Sequence, residues 1–389
     1  MTSILMLAEC YHPIRNGVVT SVDTFSKSLK RRGHKVTILT SNNKDKNIYY
    51  DEQNMVYRFP AVTLPLKTNY PLPIPYIDSS LNKIIYDNNF DMVHSQSLMT
   101  MGKVGRSIAK KLKIPLVFTY HTLLEEYAHY FPFLPQDVIT AIARDISFKY
   151  CESADHVIVP SQHVYDKLRE MGITSPMEVV PTGINLKEIE ESKACDLKKY
   201  GIPDGAKVIA YAGRIAKEKN IETLLDVYKI ILKEMPNVHI IIAGGGPLYD
   251  YCVDKCGEMP YGERVHLTNY ISKLEVLSIL RTADVMIFTS YSETQGLVFA
   301  ESMASGTPVI ATDSKAAKEI IEDGLNGIIC KNNPEELSNA CKELLNNDSL
   351  YKNMRNEAIK RTKDYDDEKM TDKLLAVYNS ALAKYNGTV

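Results

Sequence analysis

The sequence predicts an α/β protein with two doubly wound, parallel-sheet domains of the Rossmann-like kind that face each other across a cleft. The chain has 389 residues, which is too long for one ordinary hydrophobic core and suits two domains. Short apolar runs alternate with amphipathic stretches, and this alternation is typical of βαβ units with parallel strands. The same order restarts in the second half without a sequence repeat, which indicates a second domain of similar architecture.

The first half of the chain contains the elements of one domain. The apolar run SILMLAE predicts a strand, the stretch from Val19 to Gly33 a helix, and KVTILTS a second strand. The pattern repeats with DMVHS, the helix-like MGKVGRSIAKKLK and the strand IPLVFTYHT. A longer helix from Gln136 to Glu152 then leads into the strand DHVIVPS. We therefore predict a first domain over residues 1–183.

The segment EVVPTGINLKEI, with Pro181 and Gly183, is predicted to link the two domains. Beyond it, KVIAYAGR predicts a strand and Ile221 to Glu234 a helix. The strands VHIIIAGGGP, RVHLTNYI, DVMIFTS and TPVIATD follow. These elements predict a second domain over residues 184–367 and a last helix at about residues 368–386.

The composition narrows the class of protein. Hydrophobic residues make up 44% and charged residues 24%, as in soluble globular proteins, and no apolar run approaches the ~20 residues of a membrane span. A net charge of −2 excludes a strongly basic nucleic-acid binder. The start of the chain lacks the basic region of a signal peptide, and seven cysteines without a CxxC pair indicate reduced thiols. These features predict a cytoplasmic protein.

The stretch IFTSYSETQGLVFAESMASGTPVIA carries the strongest functional signal. Its apolar run Asp284 to Thr289 predicts a buried parallel strand, and the segment Leu297 to Ala304 predicts a helix after a polar turn. Ligands of open α/β sheets bind outside the carboxyl ends of the strands. Glu293 is therefore expected on the strand-end loop and Glu301 in the first turns of the helix, both beside a ligand. The alternative is a surface turn with two solvated glutamates.

The start of this helix suits a diphosphate. The amides of Gly296, Leu297 and Val298 would have no partner within the helix, and such amides bind anions. Two carboxylates beside a phosphate would repel it, so they do not bind the phosphate itself. Glu293 and Glu301 are better suited to accept hydrogen bonds from the hydroxyls of a sugar and a ribose.

Two further loops follow strands and carry residues suited to phosphate. GRIAKEKN places Arg214 and Lys219 where a ligand would lie, although such a loop by itself is more often solvated. IRNGVV contains Gly17, which would let the backbone approach a ligand closely; the alternative is a plain turn glycine. AGGGP, at Ala243 to Pro247, lacks the GxGxxG pattern, so a nicotinamide cofactor is not favoured.

Two histidines are placed at or near strand ends. His121 ends the strand IPLVFTYHT, and a strand-end histidine in a cleft can hydrogen-bond a sugar hydroxyl or a developing charge. His94, after DMV, has the same placement with less support. For both, the alternative is a core histidine whose ring is satisfied by the backbone.

Two segments suggest contact with an anionic membrane. Residues 59–77, FPAVTLPLKTNYPLPIPYI, are predicted as a Pro-rich loop that is too apolar for an ordinary linker. A basic helix beside an exposed apolar loop is typical of a protein that touches such a membrane. The alternative is a solvated helix face and a folded-back loop. The cations of the predicted helix are Lys103, Arg106, Lys110, Lys111 and Lys113.

Together these motifs resemble those of a known family, the retaining glycosyltransferases of family 4 with the two-domain GT-B fold. ETQGLVFAE is similar to the family's motif of two glutamates separated by seven residues, with Glu293 and Glu301 at its ends. GRIAKEK resembles the family's phosphate-binding arginine and lysine, here Arg214 and Lys219. The segments NGVVTSV, HTLLEEYAHY and SETQGL look most like those of bacterial glucosyldiacylglycerol synthases. The resemblance spans essentially the whole chain.

The resemblance implies a donor and its contacts in the second domain. A nucleotide sugar, most often UDP-glucose, would bind there without a bound cofactor. Arg214 and Lys219 would neutralise the leaving diphosphate in place of a divalent metal. Glu301 would hold the ribose and Glu293 the donor sugar, while the backbone from Asn269 to Ile271 would contact the base.

The resemblance also implies contacts from the first domain and a reaction course. Gly17 would present an amide to the diphosphate, and His121 would contact the sugar. The anomeric configuration would be retained by front-face attack, since no carboxylate is placed by motif as a covalent nucleophile. The last helix would cross back to the first domain, and domain closure would assemble the site. The expected enzyme is a metal-independent hexosyltransferase that acts on a diacylglycerol-type lipid at the inner face of the cell membrane.

Three alternatives stay open at this point. A transferase with the same chemistry could act on a soluble acceptor, such as an aminocyclitol, an aglycone or a polysaccharide. An epimerase could rearrange its donor without any acceptor. A catalytically silent sensor could bind the nucleotide sugar alone, although a sensor need not keep both cations and both glutamates.

Overall fold

The computed structural model describes residues 1–42, 48–53, 55–63, 71–73, 79–125, 135–290, 292–385 and 387. The chain forms two compact units, each with its own sheet and hydrophobic core. Unit 1 consists of Met1–Gly183 and Asp367–Val389, and unit 2 of Ile184–Asp366. Both are α/β units with largely parallel sheets, which confirms the predicted fold class.

Unit 1 is built on a mostly parallel sheet. Its strands are β1 (Ser3–Ala8), β2 (Lys35–Asn42), β3 (Tyr49–Asp51), β4 (Val56–Thr63), β5 (Pro71–Pro73), β6 (Met92–Ser95), β7 (Leu116–Thr119), β8 (His156–Val159) and β9 (Met177–Val179). In the described part of the unit they form one nine-stranded sheet in the order β3-β4-β2-β1-β6-β7-β8-β9, with β5 beside β4. Only the short strands β3 and β5 run antiparallel to their neighbour among these described strands. The strands β6, β7 and β8 are buried along their whole length, as expected for parallel strands covered on both faces.

The described part of unit 1 has five α-helices before the last one, and in two of them a side chain satisfies an amide of the first turn. They are α1 (Gly17–Arg31), α2 (Ser79–Asp87), α3 (Thr100–Leu112), α4 (Gln136–Cys151) and α5 (Gln162–Glu170). Asn16 caps α1, because its side-chain oxygen accepts a hydrogen bond from the amide of Val19 at 2.9 Å. The first turn of α3 is instead capped from β1, since the carboxylate of Glu9 accepts from the amide of Met101 at 2.7 Å. Burial raises the pKa of Glu9.

Unit 2 has a purely parallel sheet in its described residues. Its strands are β10 (Lys207–Ala212), β11 (Val238–Ala243), β12 (Val265–Leu267), β13 (Val285–Phe288), β14 (Val309–Thr312) and β15 (Gly327–Cys330). Its helices are α6 (Leu186–Glu191), α7 (Ile221–Glu234), α8 (Tyr249–Glu258), α9 (Lys273–Thr282), α10 (Leu297–Ala304), α11 (Lys315–Ile320), α12 (Pro334–Asn346) and α13 (Asp348–Thr362). The strand order is β12-β11-β10-β13-β14-β15, so the chain changes direction between β10 and β13. Ligands of such sheets bind at this switch point, outside the carboxyl ends of the strands.

The last helix, α14 (Asp367–Tyr385), packs on unit 1. Its buried face includes Leu374, Val377 and Tyr378, which join the apolar cluster on one face of the unit 1 sheet. At its start, Glu368 pairs with Arg31 at 2.6 Å and with Arg32 at 2.8 Å, both at the end of α1. These two arginines at the carboxyl end of α1 therefore also bind the first turn of α14.

Two details of the predicted elements are wrong. The helix α1 begins at Gly17 rather than at Val19, because the Asn16 side chain caps it at that point. The segment 59–77 is not a continuous loop: its first residues complete β4, where Phe59 is fully buried, and residues 71–73 form β5. Residues 64–70 and 74–78 of the segment lie outside the described residues.

Candidate active site

The carboxyl end of the unit 2 sheet brings two oppositely charged side chains together at the switch point. Lys219 lies in a 3-10 turn after β10, and Glu293 lies on the loop after β13. The Nζ atom of Lys219 forms an ion pair with Oε1 of Glu293. Only 18% of the Lys219 side chain and 15% of the Glu293 side chain are exposed, so solvent screens the pair weakly. The residues predicted to contact the diphosphate and the donor sugar are thus direct neighbours within unit 2.

The turn that carries Lys219 is fixed by the end of β13. The hydroxyl of Thr289 donates to the carbonyl oxygens of Lys219 and Asn220, both at 3.0 Å. The hydroxyl of Ser292 donates to the carbonyl oxygen of Glu218 at 3.1 Å. These bonds tie one strand-end loop to the next, so the position of the cation depends on the strand that leads to the glutamate.

Arg214 follows β10 directly and rests on an aromatic layer. The phenol of Tyr211 donates to the carbonyl oxygen of Arg214 at 3.0 Å. Burial, followed by the charge of Glu293, raises the pKa of Tyr211, so the phenol remains a hydrogen-bond donor. The Tyr211 ring stacks on Phe288 with centroids 5.5 Å apart, and Phe288 meets Phe299 edge-on at 5.1 Å. This layer joins β10, β13 and α10 beneath the predicted phosphate-binding residues.

A glycine loop after β11 supports the Arg214 loop from the other side. A side chain at Gly244 would overlap the carbonyl oxygen of Gly213, and one at Gly246 would overlap that of Ile215. The φ angles of Gly244 and Gly246 are +153° and +156°, which L side chains rarely adopt. The amide of Ile215 donates to the carbonyl oxygen of Gly245 at 2.9 Å. The AGGGP motif therefore serves close backbone packing in this protein.

The start of α10 has the form expected of an anion site. Gly296 is its N-cap, with φ +73° and ψ 46°, and it makes no side-chain capping bond. A side chain at Gly296 would overlap the ring of Phe299, which packs beneath it. The amides of Leu297 and Val298 open the helix at the carboxyl end of β13, the side on which ligands of parallel sheets bind.

Glu301 lies one turn into α10 and has a cationic partner that the sequence did not reveal. Its Oε1 atom is 3.4 Å from Nζ of Lys273, the first residue of α9. The same Nζ is 3.9 Å from Glu188. Lys273 follows the Ser272 N-cap of a capping box, and that S-x-x-E pattern predicts the helix start but not its neighbour across the unit.

The predicted base-contact segment lies beside the glycine loop. Asn269 has a φ of +57°, forms an isolated bridge with Gly244, and accepts from the amide of Tyr270 at 2.8 Å. Tyr270 is 60% exposed, whereas Ile271 packs against the core of unit 2. The segment thus presents its turn at the same edge of the sheet as Arg214.

In unit 1, Gly17 is the exposed first residue of α1. A Cβ atom at Gly17 would find no protein atom within 4 Å. The packing of unit 1 therefore does not require glycine at this position, whereas close approach by a ligand would.

His121 lies just after β7 and is half-buried. Its Nε2 atom is 2.6 Å from Oε1 of the buried Gln96. Burial lowers the pKa of His121 to about 4. His94 is fully buried within β6, where hydroxyl groups of Thr119 and Tyr378, rather than the backbone, satisfy its ring.

The predicted basic helix is α3, and its cations face solvent. The apolar residues Val104 and Ile108 are buried beneath it, which leaves the charged positions on the outer face. Lys111 extends over the ring of Tyr86 at 5.1 Å, and this tyrosine of α2 is itself exposed. The exposed cations are Lys103, Arg106, Lys110, Lys111 and Lys113, of which Lys113 is the left-handed C-cap just beyond the helix.

The described residues lack two features, a cluster of metal ligands and a helix that could span a membrane. Among those residues, no group of three or more His, Cys, Asp or Glu side chains is arranged to hold a metal ion. No helix within the same described ranges is both long enough and apolar enough to cross a bilayer.

Two Rossmann-like units, with paired cations and carboxylates at the switch point of the second, define the class of GT-B glycosyltransferases. Solved structures agree with this fold. Sucrose-phosphate synthase from Thermosynechococcus elongatus superposes with a TM-score of 0.78 at 20% identity, over 99% of this chain and 100% of that chain. Anabaena Alr3699/HepE in complex with UDP-glucose superposes with a TM-score of 0.75 at 17% identity, over 98% of this chain and 100% of that chain.

The sequence comparisons are more specific. Residues 15–188 match Glycosyltransferase Family 4, and residues 192–361 match Glycosyl transferases group 1. The chain is 33% identical to an alpha-monoglucosyldiacylglycerol synthase of Streptococcus pneumoniae, over 83% of this chain and 74% of that protein. It is 30% identical to the protein of the same name from Acholeplasma laidlawii, over 98% of both. The chain belongs to the family 4 glycosyltransferases with the GT-B fold, and it is a hexosyltransferase.

Proposed function

We propose that this enzyme transfers glucose from UDP-glucose to a diacylglycerol-type membrane lipid, with retention of the anomeric configuration and without a divalent metal. The observation that carries the proposal is the Lys219–Glu293 ion pair at the switch point of unit 2, in which Lys219 lies on the strand-end loop that also carries Arg214. The names of the two relatives, alpha-monoglucosyldiacylglycerol synthases, support the choice of donor sugar and lipid.

The donor would be held at its diphosphate, its ribose and its sugar. The side chains of Arg214 and Lys219 and the amides at the start of α10 would bind the diphosphate, because all of these groups donate hydrogen bonds to an anion. Glu301 would accept from the ribose and Glu293 from the sugar. Each of these carboxylates has a lysine neighbour, Lys219 for Glu293 and Lys273 for Glu301, so a cation lies beside each proposed hydroxyl contact.

Remaining donor contacts would come from backbone and from unit 1. The turn from Asn269 to Ile271 would contact the base, and Gly17 would present its amide to the diphosphate. His121 would hydrogen-bond the transferred sugar. Its ring is neutral near neutral pH because burial lowers its pKa to about 4, so it would act as a hydrogen-bonding group rather than as a charge.

The chemical step breaks the bond between C1 of the sugar and the β-phosphate oxygen. The acceptor oxygen forms its bond to C1 on the same face, and its proton passes to the departing phosphate oxygen. Arg214 and Lys219 stabilise the charge that develops on this leaving group, which is the work that a metal performs in other transferases. Tyr211 and Thr289 hold the main chain of these two residues, which limits the reorganisation that would accompany the step.

The outer face of α3 would hold the enzyme at the anionic membrane that contains the acceptor, and its exposed cations support this part of the proposal. Each exposed lysine or arginine near an anionic surface contributes about 1 kcal/mol to binding. Removing two charges, as in Lys103→Gln with Lys110→Gln, should therefore weaken binding to anionic liposomes by about 30-fold. A matched control is Lys229→Gln with Lys233→Gln, which removes two exposed charges from α7 of unit 2. Equal binding by the two double variants would refute the membrane role of α3.

The activity is tested with labelled UDP-glucose and liposomes that contain diacylglycerol and an anionic lipid. The proposal predicts label in the organic phase, with EDTA present or absent. Release of UDP without lipid label, on addition of soluble acceptors, would move the acceptor into water and refute the lipid assignment. A requirement for added divalent metal would refute the role given to Arg214 and Lys219.

A further inference from the structure

A chain of hydrogen-bonded side chains lies behind His121 in unit 1. Gln96 follows β6 and is 3% exposed, and its amide oxygen Oε1 is 2.6 Å from Nε2 of His121. The main-chain amide of Gln96 donates to the carbonyl oxygen of Leu7 at 2.8 Å. The residue is therefore anchored to β1, and its side chain extends toward the loop after β7.

The other end of the Gln96 amide meets a second, fully buried histidine. Its nitrogen Nε2 lies 3.2 and 3.0 Å from the two ring nitrogens of His94, which places it over the face of the ring rather than in the ring plane. His94 in turn has Nδ1 at 2.6 Å from the phenol of Tyr378 and Nε2 at 2.7 Å from the hydroxyl of Thr119. Tyr378 is on α14, so the returning helix contributes directly to this chain of contacts.

The donors and acceptors in this chain have a consistent assignment. An amide oxygen can only accept, so the Nε2 atom of His121 carries the proton. Burial raises the pKa of Tyr378 far above its ordinary value, so its phenol donates to Nδ1 of His94. Burial also lowers the pKa of His94 to about 3, so the ring is neutral and its Nε2–H donates to Thr119. The bonds from His94 to Tyr378 and Thr119 then each have one proton and one acceptor, and the Gln96 NH2 group, for which the ring has no acceptor left in its plane, contacts the face of the ring instead.

We propose that Gln96 is a positioning residue, which keeps His121 in the Nε2–H tautomer so that Nδ1 accepts a hydrogen bond from a hydroxyl of the transferred sugar. The face of the His94 ring favours the NH2 end of the Gln96 amide over its oxygen, which directs the oxygen to His121, and Thr119 and Tyr378 hold His94. The second nitrogen of a functional histidine is commonly oriented by such a partner. The inference rests on the proposed function, in which His121 contacts the sugar.

Two glutamates on the described parts of the neighbouring strand-end loops already have partners. Glu125, on the same loop as His121, lies 3.0 Å from Lys167 of α5. Glu9, after β1, accepts from the hydroxyl of Ser97 at 2.8 Å and caps α3. The titratable groups within the hydrogen-bonded chain itself are His94, Tyr378 and His121.

The tautomer is measured directly by NMR on protein labelled with 15N at its nine histidines, without any substrate. Signals of His121 are assigned by their loss in His121→Asn. Near neutral pH we expect His121 to have a protonated Nε2 and an unprotonated Nδ1. A protonated Nδ1 would overturn the proposal, whether or not the enzyme transfers sugar. Absence of transfer activity alone would refute only the proposed function.

The kinetic test uses Gln96→Glu, which keeps an acceptor for His121 but places a carboxylate beside it. This carboxylate raises the pKa of His121, so that at lower pH Nδ1 becomes protonated and can no longer accept. Transfer should fall about 10–100-fold near pH 6, as for other supporting partners of functional histidines, and recover as the pH rises. The unaltered enzyme should show no such recovery, because its His121 titrates at about 4.

The control is Gln53→Glu, an exposed residue between β3 and β4 that introduces the same charge. It should leave the pH profile of transfer unchanged. An equal loss at every pH in Gln96→Glu would indicate a purely structural role and overturn the proposal, as would a fully active variant. Recovery at high pH in Gln96→Glu alone would support it.

Discussion

Replacement of Lys219 by alanine tests the site assignment and separates its role in catalysis from its role in folding. The Nζ atom of Lys219 is the ion-pair partner of Glu293, and both side chains are more than four-fifths buried. Truncation therefore leaves a buried carboxylate without its partner. Loss of one partner from such a pair costs about 1–3 kcal/mol of folding free energy, less than for a fully buried pair because some solvent reaches both groups.

The catalytic loss has a different origin and a larger size. If Lys219 neutralises the leaving diphosphate, its removal should lower kcat by about 10²–10³-fold, or ~2.7–4 kcal/mol of transition-state stabilisation. A second change distinguishes the two losses. In Lys219→Ala combined with Glu293→Gln, the unpaired charge is replaced by a neutral amide, so stability should recover in part while activity stays low.

Both quantities are measured on the same set of variants. Thermal unfolding is followed by circular dichroism, since the chain has no tryptophan, and each 1 kcal/mol should shift the Tm by about 2–4 °C for a unit of this size. Initial rates are measured with UDP-glucose and diacylglycerol liposomes. Lys217→Ala, on the same turn but exposed, is the matched control and should keep near-normal rates. Near-normal rates for Lys219→Ala, or recovery of rate together with stability in the double variant, would refute the assignment.

Two glycine substitutions test the backbone roles inferred above. Gly17→Ala should leave the free energy of unfolding unchanged or raise it by up to ~1 kcal/mol, because the new Cβ has open space, yet it should raise the KM for the nucleotide sugar. An unchanged KM would contradict the proposed contact. Gly244→Ala should lower stability by about 1–3 kcal/mol, because its φ of +153° is unfavourable and its Cβ would overlap the carbonyl oxygen of Gly213. Gly257→Ala serves as the control for Gly244→Ala, because a Cβ at Gly257 on α8 would meet no atom within 4 Å. Equal Tm values for these two variants would show that the glycine loop after β11 tolerates a side chain.

The fold class could be predicted because its signals are local. The predicted helices Leu297 to Ala304 and Ile221 to Glu234 have the bounds of α10 and α7, since apolar periodicity and flanking polar turns lie within each segment. The strand β4 was missed for the opposite reason. Its sequence contains Pro60 and continues into a proline-rich stretch, which favours a loop. What makes it a strand is parallel pairing with β2, a contact that the local sequence of β4 does not encode.

In the candidate site, too, the sequence reveals some residues, and tertiary contacts are needed to reveal the others. Charged residues at strand ends, such as Lys219 and Glu293, are visible because their charge is unusual beside apolar runs. The residues that fix them carry no such signal: Thr289 and Tyr211 act through hydroxyl groups on main-chain carbonyl oxygens, and either residue would be equally ordinary in any buried strand. Their role follows only from the adjacency of β10 and β13, which the strand order creates. Variation at Tyr211 or Thr289 should therefore change the geometry of the phosphate contacts without removing any group that touches the donor.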